Sequence, residues 1–506
     1  MKHLLLALAL ALALSSDAQA RDRRLAAPPA DAASRAGRAP ARTASLPASL
    51  TPTERKYLRE HFADYLKSKL SRITERAPEN VVAAPAEFES AEGVLFSWSG
   101  YTTLLKDLIK EVAQDAKAFV VVESASEEKS VRQELTESGV RMENVRFSRA
   151  RTNSVWIRDY GPWWIQTSDG DREIIDLVYN RPRPSDDQFP AVFGPAMGIK
   201  VHPTKLILAG GNLILDGTGV AIMTDVVFDA SEGGNPNMSR EQLDKYMREL
   251  FGCHKVIVLK KMNEDGTGHV DMFCKLLNEN TFIVAEYARP GDGASGNYEI
   301  LNGNARVLAS ETNGKGEPYK VFRIPMPRYD GTSYTHTNSL IVNDTVLVPI
   351  YAQETDEPAL EVYRKLMPGH KVVGFDCNDI IGANGAIHCI TKLVMSDPLE
   401  VVHSVPRPTA GQPIVLEAKV SALQPLDPSK LTVQYRAARG APWQTAPMTL
   451  TSDVDGVVRG QLPALAAGST LEYFLRVEDT RGMHETSPED ASDTVFHSLQ
   501  VAPAAR

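Results

Sequence analysis

Apolar positions between about residues 85 and 396 follow a repeating order: two short strand-like runs, a helical stretch and a closing strand. One unit runs from Asn212-Leu213-Ile214-Leu215 and Val220-Ala221-Ile222-Met223, through a helix from Ser239 to Phe251, to a strand over Lys255 to Leu259. A second pairs Met272 to Leu277 with Thr281 to Tyr287 around Asn278-Glu279-Asn280, then a helix from about Tyr298 to Leu308 and a strand from Lys320 to Ile324. A third joins Ser339 to Val342 and Val346 to Tyr351 through Asn343-Asp344, followed by a helix from Glu357 to Leu366 and a strand from Lys371 to Phe375. Two weaker copies lie upstream, Leu104 to Val112 with Phe119 to Val122, and Ile174 to Tyr179 with Val192 to Ile207. Repetition of one unit predicts a ring, closed where Ala386 to Val394 returns to pair with Gly93 to Trp98.

The flanks read differently. Thr51-Pro52 opens an amphipathic run to about Arg76, with Tyr57, Leu58, Phe62, Tyr65, Leu66 and Leu70 at helical spacing. From about Glu400 to Val501, alternating stretches such as Thr432 to Tyr435 and Leu471 to Leu475 predict a small β-sandwich. Residues 21–50 are rich in Ala, Arg, Pro and Ser without periodicity, which predicts a linker. The first twenty residues combine a basic start, an apolar run from Leu4 to Leu14 and a small-residue end at Ala18-Gln19-Ala20, the pattern of a cleavable signal peptide. The expected partition is therefore a signal peptide over 1–20, a linker over 21–50, a helical segment over 51–80, an α/β catalytic domain over 81–398 and a β-domain over 399–506. Cleavage after Ala20 would deliver the protein to the periplasm or the exterior.

A chain of 506 residues with 43% hydrophobic and 24% charged positions has the composition of a globular protein with more than one domain. Its formal charge of −9 excludes broad nucleic-acid or anionic-membrane binding and favours a cationic substrate. Cys253, Cys274, Cys377 and Cys389 are too few for a disulfide scaffold, and none forms a CxxC pair.

Three segments carry the chemistry: Trp156 to Pro162 with Asp159, Gly268-His269-Val270-Asp271, and Gly385 to Cys389. Each residue alone has an ordinary explanation, an Asp159–Arg158 pair, a hydrogen-bonded loop histidine and a small buried cysteine. In an extended segment His269 and Asp271 share a face. A planar guanidinium is gripped best by two carboxylates at opposite edges, a task that fits Asp159 and Asp271. Its central carbon needs a strong nucleophile, which Cys389 supplies as thiolate, and loss of ammonia followed by hydrolysis needs one group that gives and then takes a proton, which His269 supplies. A zinc site from His269, Asp271 and Cys389 lacks paired ligand spacing. His388 is set aside as a partner for Cys389, since neighbours on a strand face opposite ways.

These segments, with Gly210-Gly211-Asn212, Asp216-Gly217, Tyr334 and Thr337-Asn338-Ser339 in the same order, resemble the Porphyromonas-type peptidylarginine deiminases and the agmatine deiminases of the pentein superfamily. The resemblance implies a five-bladed α/β propeller with Asp159, His269, Asp271 and Cys389 at its centre, an immunoglobulin-like sandwich after it, and no metal or organic cofactor. It also implies Trp156, Arg158 and Asn338 as substrate contacts, Trp156 forming an apolar wall. Asn180 to Pro190 is similar to the peptidylarginine deiminases; Arg181 and Arg183, two residues apart in a proline-stiffened loop, can aim two forks at one α-carboxylate. The expected reaction is conversion of peptidyl-arginine, at a peptide's C-terminus, to citrulline and ammonia. Deimination of agmatine, amidine transfer to an amine, and a catalytically inactive exported binding module are the competing readings. Gly266 stands where the peptidylarginine deiminases carry a bulky tyrosine, which predicts a wider pocket or a covering loop.

Overall fold

The computed structural model describes residues 45–502, apart from positions 72, 169, 398, 423, 438–439, 453–455, 481 and 489–490. The expected signal peptide and the linker as far as residue 44 lie outside the described residues.

The repeated units fold as five small sheets of three or four strands. Two strands in a typical unit form an antiparallel hairpin, as Cys274–Asn278 does with Thr281–Glu286. The second strand then pairs in parallel with a third, Lys320–Pro325, across the helix Asn297–Ala309. A parallel partner requires such a crossover, and a strand covered on both faces reads as a continuous apolar run. Phe282, Ile283 and Val284 are accordingly fully buried, each contributing roughly 1.5–3 kcal/mol for the larger side chains. The expected closure is present: Lys392–Met395 pairs antiparallel with Ala91–Ser97, Val394 opposite Gly93 and Lys392 opposite Leu95. The returning strand is shorter than predicted, because Ala386–Ile390 is a loop and a 3-10 turn instead of extended chain. Likewise, Val192–Ile207 divides into the helix Phe189–Ala196 and the strand Val201–Ile207.

After Met395 the chain enters an all-β region beginning at Leu399–His403. Eight strands there form one hydrogen-bonded network, because Gln444–Ser452 pairs with Thr432–Arg436 along its first half and with Val457–Leu462 along its second. The result is a nearly closed, barrel-like sheet around Leu416, Val433, Val458, Tyr473 and Leu475.

The N-terminal helix spans Pro52–Leu70 and starts on a capping box: Glu54 N–H donates to Thr51 Oγ1 at 3.2 Å, and Thr51 N–H to Glu54 Oε2 at 2.7 Å. Ahead of it, the linker expectation does not hold for residues 45–50. Ala48, Ser49 and Leu50 are buried, and Ala48 N–H donates to Ala383 O at 2.9 Å. Composition alone predicted a mobile stretch; tertiary hydrogen bonds to its main chain supply the order that local propensity does not.

Candidate active site

Asp159 lies on the one-turn helix Ile157–Tyr160, Asp271 in the 3-10 turn Val270–Met272 that His269 caps, and Cys389 in the 3-10 turn His388–Ile390. The predicted extended geometry of His269 to Asp271 is thus replaced by a turn, yet both side chains reach one place. Gly211 marks it: a Cβ added there would lie 2.6 Å from His269 Nδ1, 2.8 Å from Asp159 Oδ1 and 3.1 Å from Asp271 Oδ2. Gly211 N–H also donates to Asp159 Oδ1 at 3.0 Å. Cys389 Sγ stands 3.8 Å from Asp271 Oδ2.

All four side chains are sealed from solvent, Asp159 at 3% exposure and His269, Asp271 and Cys389 at 1% each. Within that seal, Asp159 Oδ2, Asp271 Oδ1 and both ring nitrogens of His269 lack a protein hydrogen-bond partner. Buried unsatisfied groups cost about 1–3 kcal/mol each, and native proteins keep few of them. Two carboxylate acceptors without donors, converging beside a thiol and an imidazole, suit a flat cation rich in N–H groups.

Beneath this cluster lies a network of buried charge. His388 holds Asp271 Oδ2 with Nδ1 and Glu87 Oε2 with Nε2, both at 2.6 Å. Arg158 approaches Glu87 at 3.1 Å, and Lys275 also pairs with it. Burial works to raise the Asp271 carboxyl, but the hydrogen bond and charge of His388, with His269 and Arg158, hold it below the usual range. Glu87 is held well below its range against burial by His388, Lys275 and Arg158. Burial and Arg158 favour neutral His388; two ionised carboxylates at 2.6 Å nevertheless demand two donors, and only the imidazolium has two. The geometry therefore favours the charged ring. Burial, then the Asp271 and Asp159 carboxylates, push the Cys389 thiol well above its ordinary pKa, so the resting sulfur is protonated.

His388 and Glu87 are the residues that sequence reasoning missed. Strand alternation argued against His388, but in a 3-10 turn adjacent residues need not face opposite ways, and both His388 and Cys389 approach the same Asp271 oxygen. Nothing in Pro85-Ala86-Glu87-Phe88 distinguishes Glu87 from the nearby Glu89 and Glu92.

The remaining candidates divide. Trp156 is fully buried; its ring lies 2.6 Å from a Cβ placed on Gly385, and that same Cβ would lie 3.1 Å from Cys389 Sγ, so the indole stands close to the sulfur. Asn338, expected to touch substrate, faces the sulfur: its Oδ1 accepts from Ala386 N–H at 3.1 Å and Cys389 N–H at 3.3 Å, which orients Nδ2 to 3.2 Å from Cys389 Sγ. Arg158 is engaged with the protein, its Nε donating to His388 O at 3.2 Å and its Nη2 lying 3.1 Å from Glu87 Oε2. Arg181 and Arg183 are buried at 0% and 2% exposure and already engaged. Arg181 binds Ala48 O and Glu232, and Arg183 binds Pro47 O, Ser49 O and Glu54. Asp186 and Asp187 bind elsewhere, Asp186 to Ser154 Oγ at 2.7 Å and Asp187 to Tyr179 N–H at 2.6 Å. The space opposite Gly266 is not open: a Cβ there would meet the Asn384 amide at 2.7 Å, and Gly266 has φ +82°. All four cysteines are free and buried.

With this geometry in place, residues 83–394 match the family of Porphyromonas-type peptidyl-arginine deiminases, well over half of the chain. The chain belongs to that family. As a member it is a hydrolase of guanidino carbon–nitrogen bonds. A Latilactobacillus sakei protein named as an agmatine deiminase is 26% identical over 350 residues, covering 61% of this chain and 95% of its own length. Among solved structures, the agmatine deiminase of Enterococcus faecalis superposes with a TM-score of 0.56 at 24% identity, over 64% of this chain and 98% of that one. A Porphyromonas gingivalis protein named after arginine deiminase gives a TM-score of 0.55 at 23% identity, over 62% of this chain and 97% of its own. These likenesses establish the pentein deiminase fold.

Proposed function

We propose that this deiminase acts outside the cytoplasm on the guanidinium of a peptide's C-terminal arginine, with Cys389 as nucleophile, His269 as proton carrier and Asp159 and Asp271 as the substrate grip. The observation that carries the grip is the pair of buried, unpartnered carboxylate oxygens, Asp159 Oδ2 and Asp271 Oδ1. The signal-peptide pattern of residues 1–20 supports export. The five sheets and their closing pair support a five-bladed ring, and the eight-stranded region is read as an immunoglobulin-like module.

The substrate cation would neutralise the two carboxylates that raise the Cys389 thiol, so that the thiol gives up its proton to His269 when substrate is bound. The Asn338 amide N–H stabilises the thiolate so formed. The sulfur attacks the guanidinium carbon; the tetrahedral adduct collapses by breaking one C–N bond, and His269 gives the departing nitrogen a proton so that ammonia leaves. Water attacks the resulting S-alkylthiouronium carbon while His269 takes a proton from it. The C–S bond then breaks as the hydroxyl proton of the adduct passes to solvent, releasing a ureido product, and His269 returns its proton to the sulfur, restoring the thiol. The test is ureido-product formation from arginine-ended peptides, their C-terminal amides, internal-arginine peptides, free arginine and agmatine. Highest kcat/KM on the free-acid peptides is expected; equal turnover of internal arginine overturns the terminal preference. Agmatine is the second reading, favoured by the engagement of Arg181 and Arg183 with the protein itself.

His388 acts here as a positioning residue for Asp271. Its replacement by alanine removes the group that holds the Asp271 carboxyl down against burial, so that this pKa rises. Because the grip needs Asp271 ionised, the acid limb of the kcat/KM profile should move to higher pH. KM should rise roughly tenfold, the scale of one lost charge-assisted hydrogen bond. An unshifted acid limb would leave His388 a packing residue only.

A further inference from the structure

Residues 45–50 form an irregular strap, bent at Ala48-Ser49, held by hydrogen bonds to its main chain. Trp156 Nε1 donates to Leu46 O at 2.6 Å, Arg183 Nη2 to Pro47 O at 2.8 Å and Ser49 O at 3.1 Å, and Arg181 Nε to Ala48 O at 3.2 Å. Asn384 Nδ2 donates to Ser49 Oγ at 2.9 Å. Two of these anchors, Trp156 and Asn384, adjoin Gly385, the residue against Cys389. Just beyond the strap, the Glu54 carboxylate receives the Arg183 fork, Oε1 from Nε at 2.9 Å and Oε2 from Nη2 at 3.1 Å. Arg183 thus holds one carboxylate through two parallel bonds and two peptide carbonyls besides. That is the set of acceptors a peptide's C-terminal end would offer, a carboxylate following a peptide carbonyl.

Resting on the proposed function, we infer that the segment from Ser45 to Glu54 is a specificity-determining internal occupant, whose carbonyls and Glu54 carboxylate take the ground of a peptide substrate's C-terminal end. Peptidyl-arginine is then accepted only as the strap gives way, and the Glu54 carboxylate competes directly with the substrate's for Arg183. The apparent affinity for a carboxylate-bearing ligand is reduced by the fraction of molecules in which Arg183 is free. A guanidine without a carboxylate gains nothing from that exchange.

Glu54→Gln tests the competition, since glutamine preserves the capping box while removing the charge that holds Arg183. KM for arginine-ended peptides should fall about tenfold, with KM for the same peptides as C-terminal amides and for agmatine unchanged. Equal movement of the acid and amide substrates, or none in either, overturns the competition. Hydrogen exchange of the Cys389→Ala protein gives a readout independent of turnover. Addition of an arginine-ended peptide should speed amide exchange over residues 45–50, and the amidated peptide should do so far less. Protection of the segments bearing Asp159 and Asp271 without a change at 45–50 overturns the strap. Failure of every arginine ligand to protect those two segments, in contrast, overturns the underlying functional reading.

Discussion

Alanine at Cys389 should abolish ureido-product formation from every guanidino substrate, a loss on the order of 10⁴-fold or more, while leaving the fold intact. No neighbouring group can replace the sulfur: the charged groups that act on the other three buried cysteines are Asp216 for Cys253, Lys275 for Cys274 and Asp376 for Cys377, whereas Asp271 and Asp159 act on Cys389. The structural cost is small, since removal of one buried sulfur from a 3-10 turn costs about 1 kcal/mol, a scale set by the loss of a single methylene-sized group. Product assays with thermal unfolding check both halves. Retained turnover in a normally folded Cys389→Ala protein would remove the nucleophile assignment.

Gly211→Ala should have the next largest effect, through position alone. Its Cβ would press within 3 Å of both His269 Nδ1 and Asp159 Oδ1, and 3.1 Å from Asp271 Oδ2, so at least two catalytic groups must shift. Displacements near 1 Å at reacting groups cost about 10²-fold in rate, and with the grip and the proton carrier disturbed together kcat/KM should fall by roughly 10²- to 10³-fold. Gly303→Ala provides the matched control: it lies in the helix Asn297–Ala309 with nothing within 4 Å of the added carbon. That substitution should leave activity unchanged and stabilise slightly, by about 0.4–1 kcal/mol. Comparable loss in both variants would mean that Gly211 has no special place at the site.

The orphaned acceptors explain why such small steric changes matter. A site that leaves one oxygen of each carboxylate without a donor depends on the groups around Asp271, His388 first and then His269 and Arg158, to hold that carboxyl down against burial. The same burial raises the resting Cys389 thiol, which joins nucleophile activation to arrival of a cation. In the proposed mechanism turnover is thereby restricted to ligands that bring positive charge, a form of selectivity that the acidic composition alone does not confer.

Much of this was legible along the chain because it is local. Apolar runs of strand length alternate with helix-length periodicity, and hairpin turns such as Asn278-Glu279-Asn280 and Asn343-Asp344 fix neighbours. Thr51-Pro52 announced a helix start, which the structure completes with a capping box between Thr51 and Glu54. The closing pair of Lys392–Met395 with Ala91–Ser97 followed from counting repeats. Asp159, His269, Asp271 and Cys389 could be named from residue type and spacing, and the structure brings all four together around Gly211 and Asn338.

What only the tertiary structure decided rests on partners far apart in sequence. His388 meets Glu87 across 301 residues and Asp271 across 117, so no periodicity could expose a charge network beneath the site. Its exclusion on strand alternation failed because a 3-10 turn aims neighbours differently. Arg183 meets Glu54 across 129 residues and Pro47 across 136, which turned a predicted linker into an ordered strap and two apparently free arginines into engaged ones. Composition reports how readily a segment orders by itself. It carries no record of the donors that a distant loop presents to its main chain, and those donors determine the strap.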